Sequence, residues 1–141
     1  MNKEKIYIFD TTLRDGAQTE GVDFSIEDKN KIAQVLSEIG VDYLEGGWPG
    51  ANPVDTKFFS NPPKMKKTFF TAFGMTKKTG RSADNDPGLA SLMNANTSTV
   101  CVVGKSWDFH VQVALGIKNE ENLENIKAVS YTHLRAHETE A

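Results

Sequence analysis

Three ionisable residues lie at or shortly after the ends of short, mostly apolar runs, where α/β proteins commonly carry their catalytic groups. Arg14 and Asp15 come after the run at 6–9, and Glu45 comes after the run at 41–44. A carboxylate holds a hard divalent cation, and a guanidinium beside it holds an anion or a developing oxyanion. Glu45, one strand away, would neutralise a partly buried Arg14. The alternatives are an exposed Arg14–Asp15 pair in a loop and an exposed Glu45 in a turn.

Strands that alternate with helices must position these residues. Apolar and β-branched runs predict four strands, at 6–9, 41–45, 68–73 and 99–103. Successive strands begin about 30 residues apart, which is the length of one β/α unit. The first is expected to be buried. Such alternation favours parallel strands with right-handed crossovers, whose carboxyl ends meet at one edge. A complete (β/α)8 barrel needs roughly 250 residues, so 141 residues leave a small open α/β sheet or the front half of a barrel.

The first helix is marked by capping signals at both ends. Ser25 and Asp28 form a capping-box pattern, and Gly40 occupies the usual place of a left-handed cap. Apolar residues between them recur at spacings of three and four, which predicts one buried face: Ile32, Val35, Leu36 and Ile39.

Further helices are predicted over 54–60, 88–94 and 120–127. Asp86 followed by Pro87 is typical of a cap and first turn, and therefore marks the start of the second of these helices. In the third helix, two apolar residues three positions apart predict the buried face: Leu123 and Ile126.

Composition narrows the class of partner. Lys and Arg number 16 against 19 Asp and Glu, so no basic excess is available to hold a phosphate backbone, and nucleic acid is excluded as a partner. No apolar run approaches the ~20 residues that span a bilayer, and the uncharged run near the N-terminus is too short for the apolar region that a signal peptide is expected to have. Cys101 is the only cysteine, which excludes an internal disulfide. It lies within a strand of apolar neighbours, which favours a buried, inert thiol. We expect a cytoplasmic protein without membrane partners.

One long motif resembles a known enzyme family. Residues 10–18, DTTLRDGAQ, are similar to the signature of the acyl-CoA-dependent synthases that make 2-isopropylmalate, homocitrate and citramalate. These synthases and the related lyases share a metal-dependent (β/α)8 barrel, so the resemblance implies an α/β fold built from its front half. EGGWPGANP at 45–53 and GKSWDFHV at 104–111 are most similar to the citramalate synthase branch. The resemblance covers about 6–127.

The resemblance implies a role for four residues. Asp15 matches the metal-binding aspartate of the family, and Arg14 matches the arginine that contacts the 2-oxo acid and steadies its oxygen as an alkoxide. Gln18 matches a glutamine that lines the substrate site, and Glu45 matches a glutamate that supports the arginine. The implied cofactor is a divalent cation (Mg²⁺, Mn²⁺ or Zn²⁺). The implied substrates are acetyl-CoA and pyruvate, used by a homodimeric enzyme of isoleucine biosynthesis.

The sequence also departs from the family pattern. The family's His-X-His motif, which supplies two further metal ligands, does not occur in this sequence. The general base and the rest of the acetyl-CoA site also come from later β/α units. The resemblance therefore implies that 1–128 is the N-terminal half of the catalytic barrel and is inactive alone. Residues 129–141 resemble a translated sequencing-library adaptor, which predicts a poorly packed, non-native tail.

Three alternatives stay open for the function. The parent enzyme could be a 2-isopropylmalate or homocitrate synthase that takes a larger 2-oxo acid, with Phe73, Met75 and Val103 shaping the pocket. It could be a metal-dependent C–C lyase of the same fold. The chain as given could instead be a half-barrel with no catalysis of its own, which a zinc-dependent activity assay on the isolated chain would test.

Overall fold

The sheet follows the order of the sequence. A computed structural model describes residues 3–138, and the side chains of residues 3–131. Its strands are β1 (Phe9–Asp10), β2 (Tyr43–Gly47), β3 (Phe69–Met75) and β4 (Thr99–Val103). They lie in the order β1-β2-β3-β4, with parallel pairing from β1 to β2 and from β2 to β3. Each strand lies beside the one that follows it in the chain, as predicted.

Helices lie between these strands and after β4. They are α1 (Ile26–Ile39), α2 (Pro53–Ser60), α3 (Pro87–Met93), α4 (Asp108–His110) and α5 (Asn119–Glu138). The sequence did not predict α4, nor the further helical turns at Gly16–Gln18, Ala83–Asn85 and Val111–Leu115. Among the described residues, no helix is long and apolar enough to cross a bilayer.

The chain forms two compact units. The first contains the residues up to Phe73 together with Leu92–Cys101, and the second contains Gly74–Ser91 and the residues from Val102 onward. In the first unit, Leu44 and Phe58 are fully buried. Burial of each such side chain stabilises the fold by about 1.5–3 kcal/mol, so this core anchors β2 against α2.

The ends of α1 match the predicted capping signals. The Ser25 hydroxyl accepts from the amide of Asp28 at 3.1 Å, and the Asp28 carboxylate accepts from the amide of Ser25 at 3.0 Å. The Ser25 hydroxyl also donates to the Asp28 carboxylate at 2.6 Å, and this bond, followed by the bond from the Ser25 amide, holds the pKa of Asp28 below its usual value. Gly40 has a φ of 96°, the left-handed conformation that favours glycine at a helix end. Both predicted caps are therefore confirmed.

The buried face of α1 differs from the predicted one. Val35 and Ile39 are 54% and 73% exposed, although the apolar pattern predicted their burial. The buried positions are Lys29 and Ala33 instead. The face of α1 that packs against the rest of the unit is narrower than the face that the apolar pattern predicted. It includes a lysine because buried oxygen atoms surround that side chain.

The first predicted strand was placed too early and was wrongly expected to be buried. β1 contains only Phe9 and Asp10, whereas Ile6 is 84% exposed and Ile8 is 56% exposed. β1 is an edge strand with β2 as its neighbour, so no second strand extends its pairing. An apolar run alone does not distinguish an edge from a central strand.

The buried face of α5 also differs from prediction. Leu123 is 63% exposed, whereas Asn122, Asn125 and Val129 are buried. The Asn122 amide donates to the carbonyl of Lys105 at 2.8 Å. Because side-chain amides satisfy buried backbone groups, this helix packs through polar contacts that an apolar pattern does not reveal.

The last residues bear on the predicted non-native tail over 129–141. α5 extends well beyond the predicted end at residue 127, and Tyr131 is 58% exposed. The side chain of Leu134, whose burial would have opposed the prediction, lies outside the described residues. The non-native tail therefore stays a prediction.

Candidate active site

A tight turn after β1 presents the first two candidate residues. The backbone amides of Arg14, Asp15 and Gly16 all donate to the carbonyl of Thr11, at 3.1, 2.8 and 3.3 Å. Three donors converging on one oxygen fold the chain back on itself directly beyond the strand. The turn thereby places Arg14 beside β2, in which Glu45 is the middle residue.

Arg14 and Glu45 form the ion pair that the sequence predicted. Nε of Arg14 donates to Oε2 of Glu45 at 2.7 Å, and the side chains are 19% and 1% exposed. The alternative of an exposed Glu45 in a turn is therefore wrong. A charge-assisted bond between largely desolvated groups is short and strong, so the pair has a defined geometry.

Aromatic rings hold Arg14 on another side. Its guanidinium carbon lies 4.2 Å from the ring centroid of Phe73, a cation–π contact. Trp48 packs edge-on against Phe73, with ring centroids 5.4 Å apart. Arginine has five N–H donors in a rigid fork, so the group that binds Glu45 retains donors for an anionic ligand.

Asp15 is the exposed carboxylate of the cluster. Its Oδ1 accepts from Nη1 of Arg14 at 3.1 Å, and its side chain is 62% exposed. An ionised carboxylate of this kind fits one ligand position of a hard cation. Within the described part of the chain, no group of three or more His, Cys, Asp or Glu side chains could hold a metal ion. Asp15 can therefore fill one ligand position of a divalent cation, and the described residues do not complete a metal site around it.

The second oxygen of Glu45 faces a different environment. Oε1 is buried and has no hydrogen-bond partner among the described residues. Cys101 is close enough that the charge of Glu45 affects it. Burial, followed by that negative charge, raises the pKa of Cys101 to about 11. The thiol stays protonated at neutral pH, as the prediction of an inert cysteine requires, but Cys101 is half-buried and not buried as predicted.

Lys29 is a buried cation that the sequence analysis missed. Its Nζ donates to the carbonyls of Leu13 at 2.9 Å and Gly46 at 3.0 Å, and it also pairs with Asp55. Lys29 is 2% exposed and Asp55 is 7% exposed. The available signal was position, because Lys29 precedes Ile32 by three residues and so continues the apolar face of α1.

Asp55 connects this cation to the turn after β2. Its Oδ2 accepts from the amide of Trp48 at 2.8 Å and from the side chain of Asn52 at 3.0 Å. A Cβ on Gly47, where φ is 149°, would lie 2.6 Å from the Asp55 carboxylate. A Cβ on Gly46 would also clash with a neighbouring ring. At both glycines the missing Cβ therefore leaves room for the protein's own side chains.

A cavity of about 440 Å³ opens beside the cluster. The residues that line it include Arg14, Gln18, Lys29, Trp48 and Asn52. The structure therefore brings two of the predicted substrate-binding residues, Arg14 and Gln18, to the same cavity. Arg14 also contacts Asp15 and Glu45, so all four predicted site residues lie in one region of the first unit.

Comparison with known proteins places the chain in a family. A family model described as HMGL-like matches residues 5–140. The chain belongs to the HMGL-like family. The match covers both the strand-end cluster and the later β/α segments, so the family assignment applies to the whole arrangement of strands and helices.

Curated relatives of this HMGL-like chain include synthases. (R)-Citramalate synthase of Aquifex aeolicus is 52% identical over 125 residues, which are 87% of this chain and 24% of that protein. (R)-Citramalate synthase of Geobacter sulfurreducens is 46% identical over 123 residues, 86% of this chain and 23% of that protein. 2-Isopropylmalate synthase 1 of Caldanaerobacter subterraneus is 34% identical over 142 residues, 99% of this chain and 35% of that protein. The chain spans about a quarter of the citramalate synthases that it matches.

Solved structures support the fold of the HMGL-like chain. Hydroxymethylglutaryl-CoA lyase from Pseudomonas aeruginosa matches with a TM-score of 0.71 at 19% identity, over 94% of this chain and 43% of that one. HMG-CoA lyase from Bacillus subtilis matches with a TM-score of 0.71 at 20% identity, over 96% and 44%. The prediction of an α/β fold composed of parallel units from a (β/α)8 barrel is confirmed.

Proposed function

We propose that this chain provides the 2-oxo acid site of a citramalate synthase. Such an enzyme joins the acetyl group of acetyl-CoA to C2 of pyruvate and consumes one water to release citramalate and CoA. Identity supports the choice, because it is 52% with a citramalate synthase and 34% with a 2-isopropylmalate synthase. The chain covers only part of either protein, so the activity is proposed for the complete enzyme.

The fixed guanidinium of Arg14 is the observation that carries the proposal. Condensation at C2 converts the keto oxygen of pyruvate into an alkoxide, and the enzyme must stabilise that charge. Arg14 is mostly shielded from water and is held by Glu45 at 2.7 Å. A cation that is already oriented stabilises developing charge without reorganising during the reaction. We assign Arg14 to the C2 oxygen of pyruvate, and Glu45 to the orientation of Arg14.

Two neighbouring residues complete this part of the site. Asp15, with its exposed carboxylate, would hold the divalent cation, which when bound supplies Lewis-acid polarisation of the keto group. Gln18 lines the same cavity as Arg14, and its amide is both a donor and an acceptor. We assign Gln18 to the orientation of the pyruvate carboxylate.

The remaining chemistry needs groups from the rest of the enzyme. A base removes a proton from the methyl group of acetyl-CoA, and the resulting carbanion equivalent adds to C2 of pyruvate. The alkoxide that forms beside Arg14 gains a proton, and water then cleaves the thioester to give a carboxylate and CoA. Thioester hydrolysis makes the sequence irreversible, which suits a committed step of isoleucine biosynthesis.

A 2-isopropylmalate synthase is the second candidate. Its 34% identity supports the same chemistry at C2 with a longer 2-oxo acid. The two candidates differ in the space beside the methyl group of pyruvate. One or two methylenes in an apolar pocket change selectivity by roughly 10–200-fold, so substrate preference separates them.

A hybrid enzyme tests the proposed substrate. Residues 1–128 would replace the matching segment of the Aquifex aeolicus citramalate synthase, and CoA release would be measured with pyruvate and with longer 2-oxo acids. We expect kcat/KM to favour pyruvate by at least about tenfold. The unaltered Aquifex enzyme is the control. A hybrid that prefers the longer acids would overturn the assignment to citramalate synthesis.

A further inference from the structure

The ammonium of Lys29 joins the two segments that carry Arg14 and Glu45. It donates to the carbonyl of Leu13, the residue before Arg14, at 2.9 Å. It also donates to the carbonyl of Gly46, the residue after Glu45, at 3.0 Å. One buried cation therefore binds the backbone on both sides of the ion pair, at a distance of one residue from each partner.

Strand pairing does not extend to these positions. β1 and β2 pair through Phe9 with Tyr43 and through Asp10 with Leu44. Beyond Asp10 the first segment leaves the sheet. The amides of Arg14, Asp15 and Gly16 donate to the carbonyl of Thr11 and not to β2. The Lys29 ammonium therefore replaces the missing ladder between the two segments. We propose that Lys29 is a positioning residue that sets the separation of the Arg14 and Glu45 side chains.

Asp55 connects Lys29 to the aromatic rings that contact Arg14. It pairs with Lys29 and accepts from the amide of Trp48 at 2.8 Å. Trp48 packs on Phe73, and Phe73 lies under the Arg14 guanidinium at 4.2 Å. The buried pair of Lys29 and Asp55 thus contacts two of the groups that position Arg14. These are the backbone beside it and the segment that carries the aromatic rings.

The chemistry of buried ion pairs favours a geometric role. Taking two charges out of water costs several kcal/mol per ion, and apolar residues of similar size often stabilise a fold as well or better. Lys29 uses its three donors on three buried acceptors, which fixes both carbonyls relative to each other. An apolar side chain would fill the space without fixing them.

The role of Arg14 in binding substrate belongs to the proposed function, and the inference rests on it. The test therefore observes the Arg14 side chain directly and does not depend on enzyme activity. The Nε–H of Arg14 in the 141-residue chain is followed by ¹⁵N NMR, together with its exchange with water. In the native chain we expect a resolved, slowly exchanging signal, because Nε donates to a buried carboxylate at 2.7 Å.

The informative variant is the double substitution Lys29→Met with Asp55→Asn. It removes both charges, so no unpaired ion stays buried, and the introduced amide side chain keeps an oxygen for the amide of Trp48. We expect the Arg14 Nε–H to exchange at least about tenfold faster than in the native chain, since a hydrogen bond to a charged group is weakened. Backbone amides within α1 should keep their protection.

Lys31→Met is the matched control. Lys31 lies on the same helix, is 68% exposed and pairs with Glu27 on the surface, so its removal should leave the Arg14 signal unchanged. A folded double variant with an unchanged Arg14 signal would overturn the inference. A double variant that does not fold would also overturn it, because Lys29 would then support the whole unit rather than the ion pair.

The two proposals fail separately. If the Arg14 signal changes as expected but the hybrid enzyme makes no citramalate, the positioning role of Lys29 stands and the proposed function is wrong. If the hybrid enzyme is active and the Arg14 signal of the double variant is unchanged, the proposed function stands and the positioning role is wrong.

Discussion

At the scale of single residues, the carboxylate of Glu45 attracts the positive charge of Arg14 and disfavours a negative charge on Cys101. It binds Arg14 through Oε2 at 2.7 Å, and its charge disfavours a thiolate at Cys101. Burial is the larger cause of the raised pKa of Cys101, and the charge of Glu45 adds to it, while Arg14 opposes it. The protonation of Cys101 therefore reports the charge balance of the ion pair.

This relation predicts a shift in the reactivity of Cys101. In the native chain the alkylation rate with iodoacetamide should rise with pH towards a midpoint of about 11, because the thiolate is the nucleophile. Glu45→Gln should lower that midpoint, since the negative charge is lost while Arg14 stays positive. Glu20→Gln, an exposed substitution in the loop after Arg14, is the control. An unchanged midpoint in Glu45→Gln would show that the carboxylate does not act on the thiol.

Residue types and their places next to strands were sufficient to predict Arg14, Asp15 and Glu45 as neighbours. They were insufficient for Lys29, because a lysine within an amphipathic helix is normally solvated and its buried acceptors come from distant segments. Phe73 was predicted only as part of a pocket wall for a similar reason. A cation–π contact depends on a guanidinium more than fifty positions away in the chain, and no local pattern encodes it.

At the scale of elements, capping determines where α3 begins. Oδ1 of Asp86 accepts from the amides of Gly88 at 2.9 Å and Leu89 at 3.1 Å, and Oδ2 accepts from the amide of Lys78 at 2.8 Å. Burial pushes the pKa of Asp86 upwards, but these backbone hydrogen bonds outweigh it and hold the pKa below the usual value. The predicted Asp86–Pro87 cap is confirmed.

The cap predicts a pH-dependent contribution to stability. Asp86→Ala should lower the free energy of unfolding at pH 7 by about 1 kcal/mol, as for a lost N-cap. Because the pKa of Asp86 is lower in the folded chain, its contribution is present above the ordinary value of 3.8 and disappears as the pH falls through the folded value. Urea unfolding at pH 7 and at pH 3 measures the difference. Asp84→Ala, an exposed neighbour, should change neither, and a difference equal at both pH values would contradict the account.

Local signals predicted helix ends better than helix faces. The capping box at Ser25 and the glycine at Gly40 depend on a few neighbouring residues, so the sequence located both ends of α1. The buried face depends on which surface meets the sheet, and there Lys29 and Ala33 replaced Val35 and Ile39. The predicted length of β1 was wrong for a similar reason, since the length of an edge strand depends on its pairing with a neighbouring strand.

At the scale of the whole molecule, the cluster of Arg14, Asp15 and Glu45 supplies one exposed carboxylate, that of Asp15, for a divalent cation. A hard cation such as Mg²⁺ or Mn²⁺ takes about six oxygen ligands, and Asp15 provides one protein position. Calorimetry of the 141-residue chain with Mn²⁺ should therefore show a dissociation constant no tighter than about 1 mM. Micromolar binding would show that this chain holds further ligands that the cluster around Asp15 does not reveal.

The most direct measurement is citramalate production by the hybrid enzyme and its Asp15→Asn variant. In the hybrid, residues 1–128 replace the matching segment of the Aquifex aeolicus citramalate synthase, and product is quantified from acetyl-CoA, pyruvate and Mn²⁺. We predict that the hybrid forms citramalate and that Asp15→Asn lowers the rate by about 100-fold or more, because the amide lacks the charge that holds the cation. Glu20→Gln should keep the full rate. An inactive hybrid, or an Asp15→Asn variant as active as Glu20→Gln, would contradict the proposed site.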